Sequence, residues 1–324
     1  MCTALSWQAK DHYFGRNLDL DCSYGEEVAV LPRNLPLVFR TKQPMQKHYA
    51  IMGVATVMAG TALLYDGVNE HGLAMAGLNF PGNAYYGPQE KDKDNITPFE
   101  FIPWILGQCE TVAQARTLLE RINLVNIPFS EKLPLSPLHW MISDRQESLV
   151  VESMADGLHI HDNPVGVMTN NPPFEYHLFH LNNFRTLQTS TPQTDFSHNL
   201  GLNAYSNGMG ALGLPGDVSS MSRFVRMVFG KENAICAGSE TQAVSQFFHL
   251  LGSVEVSRGI CLNPQGRVHF TVYSSCINTD KGLYYYTTYD NQQLSCVDMH
   301  RCDLEGRELY RFPLVTEQQV FCQN

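Results

Sequence analysis

The chain has 324 residues, 44% of them hydrophobic and 17% charged, which is enough apolar material for a large core and excludes a disordered or low-complexity protein. Its formal net charge of −10, from 22 Lys+Arg against 32 Asp+Glu, argues against nucleic acid and anionic membrane surfaces as partners, because both need basic patches. Nine scattered cysteines without a disulfide-framework spacing, and an N-terminus with no basic stretch before an apolar run, point to a reducing, cytoplasmic setting without a signal peptide.

In chain order, the first third reads as β. Residues 2–7 and 12–18 make a candidate hairpin around "QAKD", with further strands expected at 28–31, 49–57, 61–66 and 72–78. "NEHG" at 69–72 supplies the turn between the last two. The uncharged stretch 49–65 is shorter than the roughly 20 apolar residues of a membrane span. Two buried strands joined near Ala59-Gly60 explain it better. Helical spacing then predicts helices over 97–109 and 111–122, the second opened by a capping box from Thr111 to Gln114. A strand block follows at 138–143, 148–154, 157–161 and 165–168. Two more helices are expected near 219–229 and 240–251, the latter boxed by Ser239 and Gln242. Strands at 267–274, 282–289 and about 294–299 close the chain.

The order of strands, two helices, strands, two helices, strands is not the alternation of a doubly wound sheet. Several strands are apolar almost throughout, so both faces are buried. Two mainly antiparallel sheets stacked face to face with helices outside satisfy this: an α+β protein, a four-layer αββα sandwich in one domain over 1–324.

Most motifs dissolve on inspection. "GMGALG" (208–213) matches a dinucleotide fingerprint, but Pro215-Gly216 follow at once and forbid the required helix. Cys296, His300 and Cys302 lack a paired C-x-x-C and a fourth ligand, and His159 and His161 share a strand face as ordinary residues. No metal and no cofactor is expected.

The N-terminus is different. Loss of Met1 would leave Cys2 with a free α-amine, whose pKa of about 7.7–8.0 makes it a base near neutral pH on the residue whose thiol needs deprotonating. The second strand ends in "FGRNLD", which brings Arg16 and Asp19 back across the hairpin toward Cys2. A cation lowers a neighbouring thiol's pKa. Taken alone, Cys2 reads as a buried small hydrophobe, and Arg16 with Asp19 as a surface ion pair. Together they are a nucleophile with its base and its electrostatic partners.

At these residues the sequence resembles the choloylglycine hydrolase family of N-terminal nucleophile hydrolases, and within it the bacterial bile salt hydrolases. The resemblance runs along essentially the whole chain. It is carried by "MCTAL", "YFGRNLDLD", "GLAMAGLNFPG", "NITPFEFIPWILGQ", "LPLSPLHWMISD", "NPVGVMTNNPPF", "LGLPGDVSSMSRFVR", "QFFHLLGSV" and "GLYYYTTYDN". It implies the αββα fold and a set of catalytic residues. Cys2 is the nucleophile and its amine the base, and Arg16 and Asp19 polarise the pair. Asn79 and Asn170 stabilise the oxyanion, and Arg223 supports the charge network. Outside the resemblance, Asn79 and Asn170 read as turn residues beside Pro81 and Pro172, and Arg223 as a helix-surface residue.

The implied reaction is hydrolysis of glycine- or taurine-conjugated bile salts through a thioester. Penicillin V acylase on the same fold is the alternative, and a non-catalytic scaffold the second. Asparagine in "GLNF" favours bile salts over penicillin V. The resemblance of "NITPFEFIPWILGQ" to an assembly segment implies a homotetramer. A steroid nucleus needs a broad apolar pocket, for which Met58, Ala59, Leu64, Ile127, Phe129, Leu133 and Leu138 are the candidate lining. The choice between glycine and taurine conjugates stays open.

Overall fold

The structure, a computed structural model, describes residues 1–193, 196–236 and 238–324. The strands are β1 (Cys2–Gln8), β2 (His12–Leu20), β3 (Glu27–Leu31), β4 (Ile51–Met58), β5 (Thr61–Leu64), β6 (Asp66–Asn69), β7 (Ala74–Asn79), β8 (Asp94–Ile96), β9 (Ile122–Leu124), β10 (Leu138–Ser143), β11 (Ser148–Met154), β12 (Gly157–Asp162), β13 (Val167–Met168), β14 (Phe270–Asn278), β15 (Leu283–Thr288), β16 (Asn291–Asp298) and β17 (Tyr310–Pro313). The α-helices are α1 (Phe101–Leu106), α2 (Val112–Leu119), α3 (Phe174–His180), α4 (Ser220–Glu232) and α5 (Glu240–Gly252).

A six-stranded antiparallel sheet runs β13-β1-β2-β14-β15-β16. A nine-stranded one runs β12-β11-β10-β7-β6-β4-β3-β17, with β5 pairing β4 off this path. Helices α4 and α5 cover the first sheet, and α1 packs on β6 and β7 of the second. One core cluster joins residues of β1, β2 and β14 to Val54, Val68, Ala76, Met141 and the α4/α5 face. The other lies between the second sheet and α1/α2, around Met75, Trp140, Phe101, Ile105 and Val112. The expected αββα layering is therefore what the sequence folds into.

Close sheet contact explains the local sequence. In β2, "HYFGRNLDL", every residue but the last is buried. A Cβ on Gly15 would lie 1.9 Å from the Ser275 carbonyl oxygen, so only glycine lets β2 and β14 approach. The β4–β5 hairpin turns at Ala59 and Gly60, with φ of 48° and 77°, as a tight two-residue hairpin turn demands. At "NEHG", Asn69 Oδ1 accepts from the His71 and Leu73 amides, both at 3.1 Å.

Several boundaries differ from the sequence reading. The 97–109 helix is a 3₁₀ turn at Pro98–Glu100 followed by α1, which stops before Gly107. The 111–122 helix ends at Leu119 because Ile122–Leu124 leaves to pair in parallel with β8. Thr111 does accept from Gln114 N, but Gln114 Oε1 takes the Glu110 amide instead of closing the box. The Ser239–Gln242 box is reciprocal. The 61–66 strand splits at Tyr65, so that β5 pairs the far end of β4 and β6 its start. The 267–274 strand lies further on, as β14. Helix α3 and strand β17 were not foreseen.

Candidate active site

The site begins where β1 does. Cys2 is buried in the first core cluster and pairs with Leu18 across the hairpin, while Ala4 pairs with Arg16. The Cys2 nitrogen donates to Asn170 Oδ1 at 2.8 Å. That oxygen also accepts from Arg223 Nη2 at 2.7 Å, and Asn170 Nδ2 donates to the Asn79 carbonyl at 2.7 Å. Arg223 Nη1 donates to the Cys2 carbonyl and, at 2.6 Å, to Thr3 Oγ1, and Nε donates to Val218 O at 3.0 Å. Asn79, the last residue of β7, is half-buried, and its side chain makes no hydrogen bond among the described residues.

Arg16 and Asp19 approach on β2. Both are fully buried. Arg16 Nη1 donates to the Tyr65 and Gly77 carbonyls at 3.0 and 2.6 Å, crossing from the first sheet to the second, while Nε and Nη2 have no partner. Burial disfavours its charge, but the neighbouring groups of Cys2, Tyr273 and Asp66 outweigh that and hold the guanidinium above its ordinary pKa. Asp19 Oδ1 accepts from Thr271 Oγ1 at 2.6 Å and Oδ2 is unpartnered. Burial lowers the pKa of Arg223, which the charges of Asp19 and Cys2 oppose. Met1 is present: its amine donates to the Asp19 carbonyl at 3.0 Å, and the Asp19 amide donates to Met1 O at 3.1 Å.

The six residues singled out in the sequence thus converge on the start of β1. The seven apolar candidates do not form one wall. Ala59 and Phe129 line a cavity of about 570 Å³ with Leu31, Leu37, Phe39 and Arg40. Met58, Leu64, Ile127, Leu133 and Leu138 are not among its lining. Of the cavity's lining, Leu31, Leu37, Phe39 and Ala62 belong to the second core cluster, as Leu64 does, and Leu138 packs against it, whereas Cys2 lies in the first. Among the described residues no cluster of His, Cys, Asp and Glu could hold a metal ion. No helix there is long and apolar enough to cross a membrane.

Sequence reasoning missed the groups that support the site: Thr3, Thr271, Thr169, Ser220, His139, Glu152 and His177. Ser220 Oγ accepts the Asn170 amide at 2.8 Å and donates to Thr169 Oγ1 at 2.9 Å. A signal was available for two of them: His139 in "LHWMIS" and Glu152 in "LVVESM" are titratable residues inside otherwise apolar strands, where an ionisable group needs a reason.

Residues 2–312 match the family model described as linear amide C–N hydrolases, choloylglycine hydrolase family. The chain belongs to the choloylglycine hydrolase family. It is 53% identical over all 324 residues, and the full length of both chains, to a bile salt hydrolase/transferase of Lactiplantibacillus plantarum. It is 36% identical to a bile salt hydrolase/transferase of Clostridium perfringens, with 95% of each chain covered. The crystal structure of the mutant C2A conjugated bile acid hydrolase from Clostridium perfringens superposes with a TM-score of 0.93 at 34% identity over all of both chains. A penicillin V acylase from Agrobacterium tumefaciens shares the fold, with a TM-score of 0.77 at 21% identity over 96% of this chain and 90% of its own. The chain is accordingly a C–N amide hydrolase of this family.

Proposed function

We propose that this chain, once Met1 is removed, hydrolyses glycine- or taurine-conjugated bile salts with Cys2 as nucleophile. The observation that carries the mechanism is the Cys2 nitrogen held at 2.8 Å by Asn170 Oδ1, an oxygen itself fixed by Arg223. Cleavage of Met1 turns that nitrogen into an α-amine already positioned. The amine takes the thiol proton, and the thiolate, facing buried Arg16, attacks the amide carbonyl. The free side-chain amide of Asn79 donates to the oxyanion. Asn170 Oδ1 anchors the amine, and Asn170 Nδ2 gives one hydrogen to the Asn79 carbonyl and keeps its second as a donor to the oxyanion beside Asn79. The ammonium then protonates the leaving nitrogen as the C–N bond breaks, releasing glycine or taurine. Water, deprotonated by the same amine, hydrolyses the thioester and frees the bile acid and Cys2.

Bile salts are preferred over penicillin V because the relatives 53% and 36% identical over 100% and 95% of this chain carry bile salt names, whereas the acylase likeness supports the fold alone. The test is kcat/KM for glycocholate, taurocholate and penicillin V on protein whose intact mass confirms loss of Met1. A dominant penicillin V rate would overturn the substrate, and no turnover of any of the three would favour the scaffold. A second reading follows from the word transferase in two relatives' names: an amine in place of water would attack the thioester and give a new conjugate. Processed enzyme incubated with glycocholate and a competing amino acid would reveal the new conjugate by mass. We further propose a cytoplasmic homotetramer, supported by nine unpaired cysteines and the 95–108 segment, and checked by light scattering.

A further inference from the structure

We propose that His139 and Glu152 are positioning residues which hold in register the two segments bearing Asn79 and Asn170. The inference rests on the catalytic reading above, and its evidence is a buried cluster that the reaction itself does not use.

His139 of β10 and Glu152 of β11 lie beside the Trp140–Val151 cross-strand pair, and both are essentially without exposure. His139 Nδ1 lies 3.0 Å from Glu152 Oε1 and Nε2 lies 3.0 Å from the Thr169 carbonyl. Both partners are acceptors, so the ring satisfies both only with a hydrogen on each nitrogen. Its flat face stacks on Phe80, with centroids 4.3 Å apart and planes 3° apart. One ring therefore touches the residue after Asn79 and the residue before Asn170. Glu152 continues the clamp. Its two oxygens accept from the Phe174 amide at 3.1 and 3.2 Å, and Oε2 lies 3.4 Å from His161 Nε2. His177 Nε2 donates to the Asn170 carbonyl at 2.8 Å. Burial would raise the Glu152 pKa, but the bonds from His139 and His161 hold it down at about 2.

A buried ion pair of this kind is weak evidence for stability, since an apolar pair of the same volume usually does as well. What distinguishes this one is where its bonds end. They reach the backbone of residues 169–174 on both sides of Asn170, and the Asn170 side chain then makes its three hydrogen bonds to Cys2, Arg223 and Asn79. The cluster fixes the backbone from which the Cys2 amine is held. None of its hydrogen bonds ends on Cys2, Arg16 or Asp19.

The test compares three variants on processed protein. H139F/E152Q keeps the ring stack and avoids an unpaired buried carboxylate, but cuts the bonds to Thr169 and between the two residues. Displacement of a positioned group costs up to about 10²-fold, so kcat for glycocholate should fall about 10- to 100-fold while KM stays within about threefold. The pH midpoint of Cys2 alkylation by iodoacetamide should also move, because the amine loses its registered acceptor; a merely structural role would leave it in place. E152Q alone can keep the contact to a neutral His139 ring, the ring's bond to Thr169 and one of the two bonds from the Phe174 amide, and should rescue kcat to within about threefold of the parent. If the double variant does not fold, H177F, which removes only the bond to the Asn170 carbonyl, is read in the same way. A folded variant with parental kcat and a parental alkylation profile overturns the proposal. Failure of the underlying reading looks different: the unmodified enzyme would turn over no bile salt or would survive alkylation of Cys2.

Discussion

Replacing Asn170 with aspartate separates holding the amine from filling space. The substitution keeps an oxygen where Cys2 N and Arg223 Nη2 now donate, at 2.8 and 2.7 Å. It replaces the donor to the Asn79 carbonyl with a second oxygen. In processed enzyme the α-amine, ordinarily titrating at about 7.7–8.0, would face a full negative charge at hydrogen-bond distance. An opposite charge at such range shifts a pKa by about 1–3 units toward the charged form. Arg223 shares the carboxylate, so we take the lower part of that range, about 1–2 units. The sign is fixed: the ammonium is stabilised, and the free-base fraction at neutral pH falls about 10- to 100-fold. The same carboxylate opposes the thiolate, so both groups titrate later. The expected result for Asn170→Asp is a kcat/KM for glycocholate down about 10- to 100-fold at neutral pH, recovering as pH rises, with the profile's acid limb moved up by about 1–2 units. The assay is release of glycine followed from about pH 5.5 to about pH 10. A uniform loss at every pH, with the limb where the parent has it, would refute the reasoning, because Asn170 would then shape the site without governing the base.

Cys2→Ala should abolish turnover and leave the melting temperature near the parent's, and a chelator should leave activity intact; loss on chelation would revive a metal. Gly15→Ala places a Cβ at 1.9 Å from Ser275 O, so β2 and β14 must part, and a loss of several kcal/mol, or of soluble protein, is expected in urea melts. His12 and His177 are buried and each has its pKa lowered to about 4 by burial. A histidine depressed in the fold binds its proton only when unfolded between those values, so stability is lost as pH falls from about 6.5 to about 4, by about 3 kcal/mol for each ring. Urea melts at several pH values should show that fall, and His177→Phe should flatten it; an unchanged slope would contradict the assignment.

The layered fold was legible because its rule is local. Strands buried on both faces read as near-continuous apolar runs, and β4 and β7 are of that kind, whereas β2 is equally buried but carries His12, Arg16, Asn17 and Asp19. The elements that were missed lack such a signature. Helix α3, "FEYHLFH", follows two prolines and is too short to establish a period, and β17, "YRFP", gains its strand geometry only by pairing with β3. Likewise β8 and β9 are three residues each and define one another across the α1/α2 segment. The candidate catalytic residues were legible for another reason: Cys2, Arg16 and Asp19 lie on one hairpin, whose register brings them together. Asn79, Asn170 and Arg223 come from distant segments, and only the family resemblance connected them.

What no local rule could supply is the electrostatic cost that the site carries. Arg16 and Arg223 are both fully buried, and neither forms an ion pair with a carboxylate within 4.0 Å among the described residues. Arg223 spends its donors on neutral oxygens and Arg16 leaves two nitrogens without partners. The carboxylates that offset them are held elsewhere. Tyr273 and Tyr284 each donate to Asp66 at 2.6 Å, and Thr271 donates to Asp19. An unpaired buried charge costs stability, and a fold selected for stability alone would pair it or replace it with an apolar side chain. Keeping the cations unpaired and the anions tethered leaves positive potential free at the start of β1, where a thiolate and then an oxyanion would form. Cys2 occupies that point in the chain, and the departure of Met1 is what would expose its amine to that field.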